Sequence, residues 1–471
     1  MQKIKTVSNI KSFNTDFILL SKNFTKKIGV QWWFLNSSRI DLAPSAKPIE
    51  HKFIYSWLNL LKNIANLTCS LVLKISNIKQ NIKIEDNNLF VFEEVKLNLK
   101  LKKKEDYYFK NISKLTKIKF INVIISTKFY YDDKNISIFQ ISNKFDVFST
   151  LIRSIYIYIK FILIKNSVIK KTKNQKFWIN YQNKNSFINF YLVNLTYNYF
   201  KKFKLKDKLL IYPYEEKPFE RALNCKKKYN EIKRMFAYII NPRDKLALYL
   251  NSYSSLHIPR SKKYLFPGRL LAKKFINKGR KNLINFDTSI VGSPKNQNYK
   301  TSIKKKNTFL ILISHRDEFP IIFDWLQDNF KNSNYKFLFR MYPGTDMKNF
   351  EISFDKFKNF EISKNKSLVE DCMQSKYAIF SNTSAGIEAV NLGLVSLWVD
   401  LYSEDVSPLE KNQKPFFLPS KSKKIFIKNL NKLIKLNTRK YGYMHKLQLR
   451  ISINLYSPFD SKKFKILFNT K

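Results

Sequence analysis

The sequence predicts an α/β protein built on doubly wound parallel sheet, and three observations carry that expectation. In the last third of the chain, short apolar runs without helical period alternate with segments whose apolar residues recur at helical spacing. The connections between these segments are short, as strand-helix-strand units require. The chain has 471 residues, 44% of them hydrophobic and 15% aromatic, which favours two domains over one and suffices for sizeable cores.

The elements of that last third follow in order. "NTFLILISH" (Asn307 to His315) is an apolar run with no helical period and reads as a buried strand. "RDEFPIIFDWLQDNFKN" places Phe319, Ile322, Phe323, Leu326 and Phe330 on one helical face. "YKFLFRMYP" is a second strand, closed by Pro343 and Gly344, and "FEISKNK" a shorter third. "SLVEDCMQS" opens with Ser367 at the N-cap position and Glu370 three residues later, the capping-box pattern. "YAIFSN" is a strand, "SAGIEAVNLG" a helix stopped by Gly393, "LVSLWVDL" a strand, and "KKIFIKNLNKLIKL" begins a helical tail.

Upstream, "NQNYKTSIKKKNT" (Asn296 to Thr308) is polar and reads as an interdomain linker. It divides the chain into a first domain, 1–295, and a second, 307–471, which includes the helical tail. In the first domain, Trp32 and Trp33 stand together in "KIGVQWWFLNSS". "LLIYPYEEKPFERAL" (Leu209 to Leu223) reads as a strand followed by a helix that Phe219, Glu220 and Arg221 open, with Glu215 and Glu216 between them. Acidic residues at such a junction either stabilise the helix start or serve as a general base or sugar-hydroxyl binder. "LIRSIYIYIKFILIKNSVIKK" (Leu151 to Lys171) is strongly apolar, but Arg153, Lys160 and Lys165 interrupt it. It is expected to be a buried strand or helix rather than a membrane span, with a peripheral surface contact left open.

The formal net charge of +52 first suggests nucleic acid. The Lys residues are dispersed, however, in a chain rich in residues favoured by AT-rich codons, and no zinc-finger, KH, RRM or basic-zipper pattern accompanies them. An RNA-binding role therefore rests on charge alone, and no specific nucleic acid is expected. An anionic nucleotide, a lipid phosphate or a membrane surface fits the charge equally well. Cys69, Cys225 and Cys372 are too widely spaced for a zinc site, and a secreted disulfide scaffold would carry more. The N-terminal stretch has no clean apolar core with a small-residue cleavage site. A reducing, cytoplasmic location is expected, with the option of lying peripheral to the cytoplasmic membrane. His51, His257, His315 and His445 form no metal-ligand spacing, and no metal or cofactor is expected. G-x-S-x-G, P-loop, G-x-G-x-x-G and H-E-x-x-H patterns are absent, as is a D-x-D pair.

The richest local signal is "YAIFSNTSAGIEAVNLGLVSLWVDL" (Tyr377 to Leu401), where small residues gather between two apolar runs. In parallel sheets ligands bind beyond the carboxyl ends of the strands, which is where Thr383, Ser384, Ala385 and Gly386 fall. Small residues admit a ligand close to the backbone, the start of the helix offers unpaired N–H groups to a phosphate, and the hydroxyls add donors. Glu388, near the first helical turn, is placed to accept from ribose hydroxyls. The alternative is a plain strand-to-helix connection whose small residues serve packing.

These segments resemble a known family. "FRMYPGTD" and "FSNTSAGIEAVNLGLVSLWVDL" are similar to the nucleotide-sugar half of GT-B glycosyltransferases and of related proteins of bacterial surface polysaccharide synthesis. "YPYEEKPFERAL" resembles the P-x-E-x-x-x-W-E segment of surface carbohydrate proteins from O-antigen and capsule clusters, with Phe219 where that pattern has Trp. "WWFLNSS" and "IVGSPKNQ" (Ile290 to Gln297) are similar to their W-W and V-G-S/N segments. The resemblance implies two Rossmann-like domains facing a cleft. It implies a nucleotide-activated sugar on the second domain and a glycan or lipid-linked saccharide acceptor on the first. In GT-B enzymes helix N-termini and basic side chains, rather than a metal, stabilise the leaving phosphate, and the lack of a D-x-D pair agrees. Arg316 and Arg340 are the candidate cations, and Glu220 or Glu216 the candidate base. Tyr342 stands where the family often has His before Pro. A nucleotide-sugar epimerase, which shares this fold, and a non-catalytic scaffold of polysaccharide assembly are the alternatives.

Overall fold

The computed structural model describes residues 53–76, 84–93, 97–98, 105–106, 110–131, 134–169, 186–203, 208–214, 218–224, 234–239, 261, 263–281, 287–294, 307–314, 318–341, 358–365, 367–381, 383–401, 409 and 420–469. Trp32, Trp33, Glu215, Glu216, Arg316, Tyr342 and linker residues 296–306 lie outside them.

Two parallel sheets organise the described residues, as the alternating pattern leads one to expect. The first contains β1 (Asn88–Glu93), β4 (Phe120–Ile125), β5 (Asn135–Ser137), β6 (Leu210–Pro213), β7 (Met235–Tyr238), β8 (Lys263–Phe266) and β9 (Asp287–Ile290), in the order β5-β4-β1-β6-β7-β8-β9. Two short strands, β2 (Leu97–Asn98) and β3 (Glu105–Asp106), pair antiparallel outside it. The second contains β10 (Thr308–Leu312), β11 (Lys336–Arg340), β12 (Phe360–Ile362), β13 (Tyr377–Phe380) and β14 (Val395–Trp398), in the order β12-β11-β10-β13-β14. In both, the chain begins centrally, runs to one edge, and returns to continue on the other side. The reversal falls between β1 and β6 in the first sheet and between β10 and β13 in the second. Such switch points open a crevice at the carboxyl ends of the two diverging strands.

The central strands β1, β6, β7, β10 and β13 are buried on both faces, so they read as continuous apolar runs rather than alternating ones, while the edge strand β9 is partly exposed. The first sheet carries α1 (Phe53–Ser76), α2 (Lys110–Thr116), α3 (Ile138–Ile141), α4 (Lys144–Ile169), α5 (Ser186–Lys202), α6 (Pro218–Asn224) and α7 (Arg269–Lys281). Leu151 to Ile169, open between strand and helix in the sequence, belongs to the long helix α4. Leu89, Val91, Leu210 and Tyr212 share a core with residues of α4 to α7, while Phe90, Phe92, Leu209 and Ile211 face the opposite side.

The second sheet carries α8 (Glu318–Phe330), α9 (Leu368–Met373), α10 (Ala385–Asn391), α11 (Lys423–Ile434) and α12 (Thr438–Leu455). Phe319, Ile322, Phe323, Leu326 and Phe330 of α8 are all buried on one sheet face, as their spacing predicts. Ser367 caps α9 by accepting from the Glu370 N–H. Gly393 takes a left-handed conformation, φ 87°, and ends α10. The edge strand β14 is shielded in an unusual way. Gln448 of α12 accepts from the Ser396 N–H and donates to the Ser396 carbonyl, each at 2.8 Å, so a side-chain amide takes the place of a neighbouring strand.

The sequence reading kept 307–471 together, but the last helix of that stretch packs elsewhere. Phe464 and Leu467 of α13 (Ser461–Asn469) are buried with Phe90, Phe92 and Leu265 of the first sheet. To arrive there, the chain passes against two loops of the first domain with no side chain between the backbones. The Ser293 N–H donates to the Ser457 carbonyl, the Ser457 N–H to Pro267, and the Asp460 N–H to Val291, each at 2.8 Å. A Cβ at Gly268 would stand 2.4 Å from the carbonyl oxygens of Asn454 and Leu455. One at Gly292, where φ is 80°, would stand 2.0 Å from that of Pro458. Glycine is the residue this approach permits.

Gly268→Ala is therefore expected to lower stability by about 1–3 kcal/mol, because the obstructing atoms are backbone and cannot turn aside. Gly442→Ala, in α12 where a Cβ meets nothing within 4 Å, should raise it by about 1 kcal/mol through helix propensity. Urea unfolding of the two variants measures the contrast; equal effects would contradict the crossing described.

Candidate functional site

The carboxyl ends of β10 and β13 diverge at the second switch point, and the residues after them form the candidate site. After β13 the chain passes through Ser381, Thr383 and Ser384 into α10. Thr383 Oγ1 accepts from the Ala385 N–H at 3.2 Å, and the Ser384 hydroxyl donates to Glu388 Oε1 at 3.1 Å. Thr383, Ser384, Ala385 and Glu388 are half-buried. The start of α10 is thus a short polar circuit with access to solvent. It differs from the expectation in one respect. The Ala385 N–H is paired with its own loop rather than left open, because a threonine two residues earlier is in the right register to accept it.

Gly386 has a packing reason. A Cβ there would lie 2.0–2.4 Å from ring atoms of Phe380, the last residue of β13. The helix sits directly on that ring, and the Ser396 hydroxyl fastens it by donating to the Gly386 carbonyl at 3.1 Å. On its outer side α12 holds α10: Ser452 Oγ lies within hydrogen-bond distance of both the Ile387 carbonyl (2.9 Å) and Asn391 Oδ1 (2.6 Å), and His445 Nε2 donates to the Val390 carbonyl. A helix of seven residues has little stability of its own, so these anchors position the Thr383 to Glu388 circuit.

Two buried carboxylates flank the site, and the sequence reading missed both. Glu318 is fully buried and receives the Ser314 N–H at 2.8 Å and the Ser314 hydroxyl at 2.5 Å, which fixes the turn after β10. Asp371 is fully buried in α9 and accepts from Arg340 Nη1 (2.6 Å), Asn365 Nδ2 (2.6 Å) and Ser363 Oγ (2.7 Å). Arg340 Nη1 also donates to the carbonyls of Asn365 and Ser367. The candidate cation is therefore engaged in holding the turn between β12 and α9, by the kind of paired geometry that a buried carboxylate requires. A serine at a strand end four residues before a glutamate was the available signal for Glu318. Asp371 had no comparable one, since Arg340 lies on β11, 31 residues earlier, and Ser363 and Asn365 sit in the irregular turn before α9. Ser381, also overlooked, is buried at the end of β13, and its hydroxyl has no hydrogen-bond partner among the described residues.

On the first sheet, Glu220 lies in α6, just beyond the carboxyl end of β6 and so beside the first switch point. It is 3% exposed, and its carbonyl accepts from Asn224 Nδ2, which also bonds the Tyr212 hydroxyl. The candidates therefore fall into separate places: Thr383 to Glu388 together, Arg340 on β11, and Glu220 on the other sheet. Glu216 and Arg316 lie outside the described residues.

No protein-family model matches the chain, and no curated protein matches it in sequence. Among solved structures it is similar to the wall teichoic acid polymerase TagF, at 12% identity and TM-score 0.41 over 88% of this chain and 97% of that one. It is similar to the glycosyltransferase SnogD from Streptomyces nogalater, at 7% identity and TM-score 0.36 over 81% and 99%. It is also similar to the UDP-N-acetylglucosamine 2-epimerase from Rickettsia bellii, at 11% identity and TM-score 0.39 over 78% and 95%. At such values these likenesses carry no inference about substrate or reaction.

If Gly386 serves packing, Gly386→Ala should cost about 1–3 kcal/mol by overpacking against Phe380. Phe380→Leu, destabilising alone, should recover part of that cost in the double variant. Thermal unfolding of the four-protein cycle checks it, and strictly additive losses would contradict the contact.

Proposed function

We propose that the chain is a metal-independent, GT-B-like glycosyltransferase of surface polysaccharide synthesis, with a nucleotide-activated sugar as donor. One observation carries the reading. The small polar circuit Thr383–Ser384–Glu388 stands at the carboxyl end of β13, at the switch point of a parallel sheet, where such sheets receive nucleotides. The buried, unpartnered Ser381 hydroxyl beside it supports a ligand oxygen arriving there. The sequence resemblance to O-antigen and capsule proteins supports the pathway, with O-antigen, capsule or lipopolysaccharide as product class.

In this reading the Thr383 and Ser384 hydroxyls donate to the donor's phosphates, Ser384 turning from Glu388 to do so, Ala385 allows the close approach while Gly386 seats the helix on Phe380, and Glu388 accepts from the ribose. Arg316 supplies positive charge, while Arg340 acts through the Asp371 turn. The acceptor, a glycan or a lipid-linked saccharide, lies at the first switch point across an interdomain cleft. Its hydroxyl oxygen bonds to the anomeric carbon as the bond from that carbon to the leaving phosphate oxygen breaks. Glu220, or Glu216, takes the hydroxyl proton. The low exposure of Glu220 favours a base shielded from bulk water. The location is cytoplasmic. A non-catalytic role in polysaccharide assembly is the second reading, favoured by the engagement of Arg340 with Asp371 and by Tyr342 in place of His.

Titration calorimetry with nucleotide sugars tests the donor site. Ser384→Ala removes one donor to a charged group, worth about 1.5–3 kcal/mol, so affinity should fall roughly tenfold to a hundredfold. Glu388→Gln should weaken nucleosides as well as nucleotides. Glu220→Gln should lower transfer about a hundredfold with donor affinity unchanged. Parent-like binding by Ser384→Ala would remove the site. A parent protein that binds no nucleotide sugar and transfers nothing would favour the assembly role.

A further inference from the structure

Helix α4 buries one apolar side and exposes another. Val147, Leu151, Tyr158, Phe161 and Ile162 are buried in the first domain's core. On the opposite side, Phe145, Phe148, Ile152, Tyr156 and Leu163 are between 54% and 78% exposed. Their spacing of three, four, four and seven residues places all five on one line along the helix. Helix α1 packs beside α4, and there Leu58, Leu61 and Val72 are 55–62% exposed at similar spacing. Two helices that pack together and each expose an apolar stripe are a feature of the kind that marks an interaction surface.

Charge selects the occupant. The sequence of α1 holds no acidic residue, and that of α4 holds one, Asp146, which Lys202 Nζ contacts at 2.8 Å. Lys62 and Arg153 are exposed beside the stripes, and Lys160 reaches over the Tyr156 ring with Nζ 4.3 Å from its centre. An aromatic and aliphatic line bordered by cations, with its acidic residue neutralised, complements an anionic lipid surface. No described helix is long and apolar enough to cross a membrane. The geometry therefore fits helices that lie on a bilayer.

We propose that the outer stripe of α4, with α1 beside it, docks the protein on an anionic membrane surface. Phe145, Phe148, Ile152 and Leu163 enter the acyl boundary, while Tyr156 and Lys160 stay at headgroup level. This surface is independent of the donor site, and it would keep a lipid-borne substrate close to the protein.

Co-sedimentation of the full chain with vesicles tests the proposal. Vesicles of phosphatidylcholine mixed with phosphatidylglycerol should bind the parent, and pure phosphatidylcholine vesicles should bind it weakly. A protein of this net charge binds anionic vesicles through dispersed lysines too, so the decisive variant leaves charge unchanged. Phe148→Ser with Ile152→Ser, both exposed, should reduce binding at least about tenfold at physiological salt, with circular dichroism and melting unchanged. Parent-like binding by that variant would overturn the proposal. So would a change in oligomeric state in the variant without a loss of vesicle binding, because the patch would then serve a second copy of the chain.

Discussion

Two stretches of backbone meet with no side chains between them where residues 454–460 pass against 267–268 and 291–293, and the union of the two sheets depends on that meeting. Three backbone hydrogen bonds at 2.8 Å cross the contact, and two glycines make it sterically possible. From there the consequences run both ways. Leu455 and Tyr456 join a buried cluster that includes Phe266 and Leu271 of the first domain and Phe380 and Trp398 of the second. Downstream, α13 covers the first sheet with Phe464 and Leu467. Upstream, α12 holds α10 through Ser452 and His445, and shields the edge of β14 through Gln448. The same helix that bridges the domains thus also fixes the element whose first turn carries the candidate donor site.

That link gives the site its physical character. A seven-residue helix would not hold Ser384 and Glu388 in place unaided. It is seated on the Phe380 ring from below and tied by hydroxyls and an imidazole from outside. Gly386 is small because Phe380 is under it, whereas Thr383 and Ser384 face each other's neighbours across a half-buried loop. The small residues gathered between the two apolar runs therefore have two reasons, packing at Gly386 and polar display at Thr383 and Ser384. Arg340 and Asp371 illustrate the same economy: a cation that sequence alone offers to a phosphate is occupied in shaping the turn beside it.

The second sheet was largely legible in the sequence, because β10, β13 and β14 are short and buried throughout and the apolar residues of α8 recur at helical spacing. Ser367 starts a helix and Gly393 stops one where their chemistry predicts. The first sheet was less so; "LLIYPY" announced β6, but long polar insertions separate the other strands and blur the alternation. The run from Leu151 was ambiguous between strand and helix because both sides of α4 are apolar, which removes the one-sided period that identifies a surface helix. The destination of the tail was not legible at all. Gly268 and Gly292 are small on account of residues about 165 to 190 positions away, and neither the spacing nor the composition around them records that.

The crossing is the central claim, and native-state hydrogen exchange measures it directly. If the passage at 454–460 joins the two domains, the amides of Ser293, Ser457 and Asp460 should exchange as slowly as those of the adjoining strands β8 and β9. Exchange of these three at the rate of exposed loop amides, with β8 and β9 still protected, would show the contact to be open in solution and would contradict the account.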